Sequence, residues 1–254
     1  MLETAVIPET DHSAEPVDGT GMAGETRGLV YRVGNVNLID GIDLHMPART
    51  LTVVMGPNGA GKSVLLRLMH GLLTPKSGEV WWGGRPLDDE LRRRQAMVFQ
   101  RPVLLRRSVA ANINFVLRLR GNATAQRTMA LLDEVGLADR AAQPARLLSG
   151  GELQRLALAR AMALEPRVLF MDEPTASLDP AATAAIEAIV MRVHQRGTKI
   201  VLITHDLGQA RRLADDVVFL NRGRLIEYTA ANQFFDSPDS REAGDYLAGR
   251  LILN

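Results

Sequence analysis

With 254 residues, 46% of them hydrophobic and 23% charged, the chain is long enough for one large or two modest globular domains, and disorder throughout is excluded. Thirty Lys and Arg stand against 29 Asp and Glu, so no global charge advertises nucleic acid, and any specificity has to be local. Zero Cys removes disulfide scaffolds, Cys-ligated zinc, iron–sulfur clusters and thiol catalysis. The apolar runs, such as Leu51–Met55 and Val168–Met171, fall far below the roughly 20 residues that cross a bilayer.

The opening stretch Met1–Gly28 holds six acids and one Arg among small residues and Pro, which predicts a disordered acidic tail rather than a secretory signal. From Leu29 to Asn254 one domain is expected. Gly28–Arg32, Val36–Ile39 and Ile42–Met46 are short alternating pieces separated by Gly34-Asn35 and Asp40-Gly41, turn dipeptides that predict a small antiparallel layer. Leu51–Met55 is a continuous apolar run that feeds a glycine-rich turn and then a helical pattern over Ser63–Leu73. Val109–Leu119, Ala123–Val135 and Glu152–Leu164 read as helices with no strand between them, so a helical subdomain is expected over about 105–164. Val168–Met171 before Ala181–His194, and Ile200–Ile203 before Leu207–Leu213, repeat the strand–helix alternation of a mainly parallel sheet. Val217–Leu220 and Arg224–Tyr228 close the pattern as a hairpin-like pair. The fold class is therefore α/β, with an antiparallel β subdomain before the parallel core and a helical subdomain inserted into it.

Gly56-Pro57-Asn58-Gly59-Ala60-Gly61-Lys62-Ser63 is a complete G-x-x-x-x-G-K-[ST] between a buried strand and a helix. Its glycines let successive N–H groups turn inward around a phosphate, and the helix start adds a positive end. Lys62 supplies a charge for the β and γ phosphates, and Ser63 a ligand for Mg²⁺, so a nucleoside triphosphate and Mg²⁺ are expected. Asp172 and Glu173 stand at the carboxyl end of a second buried strand, where ligands bind in open parallel sheets. Asp172 suits the metal side; Glu173 suits a base or polarising group for the attacking water. Ser149 followed by Glu152 makes a capping box, yet Gly150 and Gly151 stand in the same first turn at a cost of about 1 kcal/mol each. Bare backbone there predicts a second anion site, one that serves a nucleotide held by another copy of the chain.

Taken together these segments resemble the ATP-binding cassette subunit of an ABC transporter, from roughly Leu29 to Tyr228. Gly56–Ser63 is similar to the family's Walker A, Gln100 to its Q-loop glutamine, Leu148–Glu152 to its signature, and Asp172 and Glu173 to its Walker B. Asp179 matches the D-loop, His205 the switch histidine, and Tyr31 the aromatic that stacks on adenine.

The resemblance implies a P-loop NTPase core and ATP hydrolysis by Glu173, His205, Gln100 and Lys62, with Ser63, Gln100 and Asp172 on the metal. It implies two copies closing head to tail on two ATP molecules, each held by one copy's Gly56–Ser63 and the other's Ser149, Gly150, Gly151 and Glu152, with Asp179 linking the sites. The partners implied are that second copy, a separate membrane permease docking near Leu91–Arg107 and the helical subdomain, and a solute-binding protein. Nucleic acid is not expected, and the location implied is the cytoplasmic face of the inner membrane, held peripherally. Met97–Leu105 with Arg106-Arg107-Ser108-Val109 resembles importer subunits for oxyanions such as tungstate, molybdate or phosphate. An amino-acid importer, or a cassette ATPase working on nucleic acid or ribosomes, is the alternative. DNA-repair relatives carry long insertions, however, whereas only 87 positions separate Lys62 from Ser149.

Overall fold

The computed structural model describes residues 22–250. In chain order, β1 (Gly24–Val33) and β2 (Val36–Met46) open an antiparallel sheet, and β3 (Leu51–Met55) runs into α1 (Lys62–His70). β4 (Ser77–Trp82) and β5 (Arg85–Pro86) return to the first sheet before α2 (Asp89–Arg93) and β6 (Gln95–Val98). The helices α3 (Val109–Leu119), α4 (Ala125–Glu134) and α5 (Gly150–Met162) come next, followed by β7 (Val168–Asp172) and α6 (Pro180–Gln195). β8 (Lys199–Ile203), α7 (Leu207–Leu213), β9 (Asp216–Asn221), β10 (Arg224–Ala230), α8 (Ala231–Asp236) and α9 (Arg241–Leu247) complete it.

β3, β7 and β8 are buried at every position, as strands covered on both faces must be. They lie in a six-stranded sheet of order β10-β9-β3-β8-β7-β6, parallel except for β10 against β9. Alternation along β3 divides the core in two. Val53 and Met55 face the layer of α3, α4, α5 and α6, whereas Val54 faces α1 and the four-stranded antiparallel sheet, ordered β2-β1-β4-β5. The α/β class, the mainly parallel sheet, the antiparallel layer and the helical insertion are those expected.

Two boundaries differ from the sequence reading. β1 starts at Gly24, inside the stretch assigned to the acidic tail, which therefore does not extend to Gly28; residues 1–21 of that assignment lie outside the described residues. The polar composition of 24–28 is compatible with a strand because Thr26 buries its hydroxyl by donating to Ile42 O at 2.9 Å, and Gly24 makes room for the Trp82 ring. Asp40-Gly41 is no chain reversal. β2 passes straight through it with a bend, because Gly41 takes a positive φ of 69° while Asp40 N donates sideways to Gly223 O at 2.9 Å. Ser77–Trp82 and Gln95–Val98 are strands that the apolar patterning did not mark; the first opens on Ser-Gly-Glu and the second is only four residues long.

At the amino ends of the core strands, remote from the phosphate loop, Lys199 is wholly buried and donates to Thr50 Oγ1 and Thr52 Oγ1 at 2.6 Å each. Burial pulls its ammonium down to about 8, against the opposing pull of Asp216 and Asp215.

Candidate functional site

The loop between β3 and α1 has its shape imposed from two sides. Gly56, Gly59 and Gly61 all adopt positive φ. A Cβ at Gly56 would stand 2.1 Å from Leu220 O, and one at Gly61 would stand 2.6 Å from Leu38 O, so neither position admits a side chain. Gly223 N donates to Ala60 O at 3.0 Å, and Gly223 O accepts from Asp40 N, so the β9–β10 turn clamps the loop against β2. α1 begins directly after Gly61 with no acidic residue in its first turn, which leaves its positive end uncompensated by its own side chains. Lys62 folds over the loop, its ammonium donating to Gly56 O at 2.7 Å and Pro57 O at 2.9 Å. Burial lowers its pKa, an effect opposed by Glu173 and Asp172.

Ser63 Oγ donates to Asp172 Oδ1 at 2.8 Å. Asp172 is buried, and desolvation pushes its carboxyl upward, an effect opposed by the Ser63 hydrogen bond. The next residue, Glu173, leaves the strand with φ at 47° and its N–H on Ile203 O at 3.1 Å. That turn carries the carboxylate toward two other segments: Gln100 Nε2 donates to Glu173 Oε2 at 3.4 Å, and His205 Nδ1 lies 3.4 Å from the same oxygen. The structure thus brings Lys62, Ser63, Gln100, Asp172, Glu173 and His205 to the carboxyl ends of β3, β6, β7 and β8.

Sequence reading missed Gln154, a buried polar residue on α5 whose amide donates to Gln100 O at 2.7 Å and Phe99 O at 3.2 Å. Its place on an otherwise apolar helical face is the signal that could have found it. Tyr31 is half-buried on β1 opposite Ile39, whose Cδ1 lies 3.0 Å from a Cβ built on Gly61.

Ser149, Gly150, Gly151 and Glu152 form a separate feature. Ser149 caps α5 in a full capping box, with its N–H on Glu152 Oε2 at 2.8 Å. Among the described residues no hydrogen bond or ion pair joins this turn to Gly56–Ser63. Gly150 is exposed, as a surface for another molecule requires. Gly151, in contrast, has a reason inside its own chain: an added Cβ would stand 2.7 Å from Ala182 Cβ on α6. Asp179 caps α6, accepting from Ala182 N at 2.8 Å.

Comparison with known proteins identifies the family. Residues 39–176 match the ABC transporter family model. The chain is 38% identical to the phosphate import ATP-binding protein PstB 1 of Yersinia pestis, over 98% of each. Among solved structures it is similar to cbiO1 of Clostridium perfringens, described as part of the ABC transporter complex cbiONQ, with a TM-score of 0.75 and 28% identity over 84% of this chain and 90% of that one. It is also similar to the ATP-binding cassette MJ0796, described as a dimer in a post-hydrolysis state bound to ADP and Pi, with a TM-score of 0.74 and 26% identity over 82% of this chain and 98% of that one. With a matched phosphate loop, a carboxylate pair beside it and near full-length likeness to an import ATP-binding protein, this chain belongs to the ABC transporter family and is an ATPase subunit.

Proposed function

We propose that this chain powers phosphate import: as a homodimer closed on two ATP molecules, it drives a separate membrane permease from the cytoplasmic face, in concert with a solute-binding protein. The observation that carries the ATPase chemistry is the convergence of Gln100 and His205 on one oxygen of Glu173, beside the Ser63–Asp172 pair. The phosphate assignment is supported by the relative of 38% identity, which is named for phosphate import.

Each residue has a role in hydrolysis. The Gly56–Ser63 N–H groups and α1 hold the phosphates, and Lys62 exchanges its two loop carbonyls for the β and γ oxygens. Tyr31 covers the adenine. Glu173 accepts a proton from the attacking water as the water oxygen bonds to the γ phosphorus and the bond to the ADP oxygen breaks. Gln100 and His205 orient that carboxylate and the γ-phosphoryl oxygens. Ser63 Oγ and Asp172 Oδ1 are hard oxygen donors side by side, a set that fits Mg²⁺, which takes few protein ligands and completes its shell with phosphates and water. Held by Ser63 and Asp172, with Gln100 close by, Mg²⁺ would supply charge neutralisation for the phosphates. Ser149, Gly150, Gly151 and Glu152 present the α5 N-terminus to the nucleotide of the second copy, and Asp179 lies between the two sites.

The permease docks on an apolar groove of about 210 Å³ lined by Phe99, Pro102, Val103, Val116 and Ala157, with Arg160 at its edge. Val103 is 84% exposed there, and Arg101, Arg106 and Arg107 are exposed in the same stretch of chain. The groove adjoins Gln100, so a shift of its occupant is felt at Glu173.

The test is uptake of radiolabelled phosphate by cells lacking this chain and complemented with it or with Glu173→Gln. Restoration by the parent alone, uncompeted by tungstate, molybdate or amino acids, is the result expected. Equal restoration by Glu173→Gln, or transport of a competitor instead, overturns the proposal.

A further inference from the structure

Resting on the reading of Glu173 and His205 as the hydrolytic pair, we propose that Gln209 is a positioning residue for ATP hydrolysis, tying the loop that carries Glu173 to the turn that carries His205. The two segments come from different strands, and neither partner is held by packing alone. The His205 side chain is 61% exposed, and the loop after Glu173 has positive φ at Glu173 and Ser177. Something must fix one segment against the other if 3.4 Å is to be maintained.

Gln209, 1% exposed in the first turn of α7, is bonded on every side. Its N–H donates to Asp206 Oδ1 at 2.9 Å, and Asp206 N donates to Thr204 Oγ1 at 3.1 Å, so the backbone is pinned on both sides of His205. Its side-chain Oε1 accepts from Thr175 Oγ1 at 3.1 Å, two residues beyond Glu173. Its Nε2 donates to Glu187 Oε1 on α6 at 3.1 Å. Glu187 is held in turn by the Arg212 guanidinium, at 2.7 Å and 3.1 Å. A carboxylate accepts and does not donate, so Glu187 dictates that the amide nitrogen points toward it and the amide oxygen toward Thr175. A flipped amide would set two acceptors face to face. The orientation is therefore unique, and the Thr175 hydroxyl has one direction in which to donate. Through these bonds a movement of α6 or of the loop after Glu173 is passed to the turn that carries His205.

The test is steady-state ATPase kinetics on the full chain. Gln209→Met preserves length and removes the amide; kcat should fall by about 10- to 100-fold, as expected when a reacting pair is displaced by an ångström or less. KM for ATP should stay within about twofold, because Gln209 touches none of the phosphate loop. Thr175→Val should copy the defect and Thr175→Ser should relieve it. In a His205→Ala background Gln209→Met should cost less than about threefold more, since the pair it aligns is already gone. Parent kcat in both Gln209→Met and Thr175→Val, or undiminished losses in the His205→Ala background, overturns the proposal. If Gln209→Met does not fold, the Thr175 variants decide alone. Glu173→Gln belongs in the same series: turnover at the parent rate there removes the hydrolytic pair itself, and the proposal falls with it.

Discussion

Ser63 Oγ and Asp172 Oδ1 meet at 2.8 Å although 109 positions separate them in the chain. The contact exists because β3 and β7 flank β8 in one parallel sheet, which puts the first turn of α1 beside the end of β7. Asp172→Asn keeps the shape and removes the charge. The Mg²⁺ concentration for half-maximal ATPase activity should rise about tenfold or more, while ATP binding in EDTA is unchanged or tighter, because a negative group beside the phosphates is gone. Metal titrations of activity and of fluorescent-nucleotide binding check both halves.

Glu173→Gln should retain nucleotide binding and lose turnover by about 10²- to 10⁴-fold, the usual contribution of a positioned base. With ATP and Mg²⁺ the variant should accumulate as a dimer on size-exclusion chromatography. Hydrolysis at the parent rate would remove Glu173 from its role.

The two signature glycines should separate experimentally. Gly151→Ala forces a methyl to within 2.7 Å of Ala182 Cβ and should lower stability by about 1–3 kcal/mol in urea unfolding. Gly150 has only the Leu178 methyl at 3.4 Å, so Gly150→Asp should leave unfolding of the monomer nearly unchanged yet abolish ATP-driven dimerisation by placing a carboxylate where the other copy's phosphates belong. Intact dimerisation in Gly150→Asp would separate the α5 N-terminus from the second nucleotide.

Lys199 makes a pH prediction with a definite sign. Its pKa is about 8 when folded and ordinary when the chain is unfolded. Between those values the unfolded state binds the additional proton, so the contribution to stability is complete above the ordinary lysine range and is lost as pH falls through about 8. Stability from this group should therefore climb between pH 8 and 10, by up to about 1.4 kcal/mol per unit. Lys199→Met should shift stability by a constant and remove that slope. Urea midpoints for both proteins at three alkaline pH values measure the difference; parallel pH profiles would contradict the assignment.

What was legible beforehand follows from how local each signal is. The phosphate loop is contiguous and its glycines are required by backbone contacts, so Gly56–Ser63 could be read directly, as could Asp172 and Glu173 at the end of an apolar strand. Gln154 left only the faint mark of a polar residue on an apolar face, and the purpose of both Gln154 and Gln209 lies in a partner 54 or 34 residues away. Asp40-Gly41 misled for a related reason: the dipeptide has turn chemistry, but the sideways bond to Gly223 turns the same positive φ into a bend within one strand. Gly151 is required by close packing against Ala182 as well, which the sequence alone does not reveal.

The strand that presents the phosphate loop is paired on one side with β8 and on the other with β9, and the loop is clamped by the peptide of Gly223. β2 supplies one wall from upstream, but the strands on either side of β3 and the clamping turn are encoded far downstream. A nascent chain therefore completes the frame of its phosphate loop only after the hairpin beyond Asn221 has left the exit tunnel.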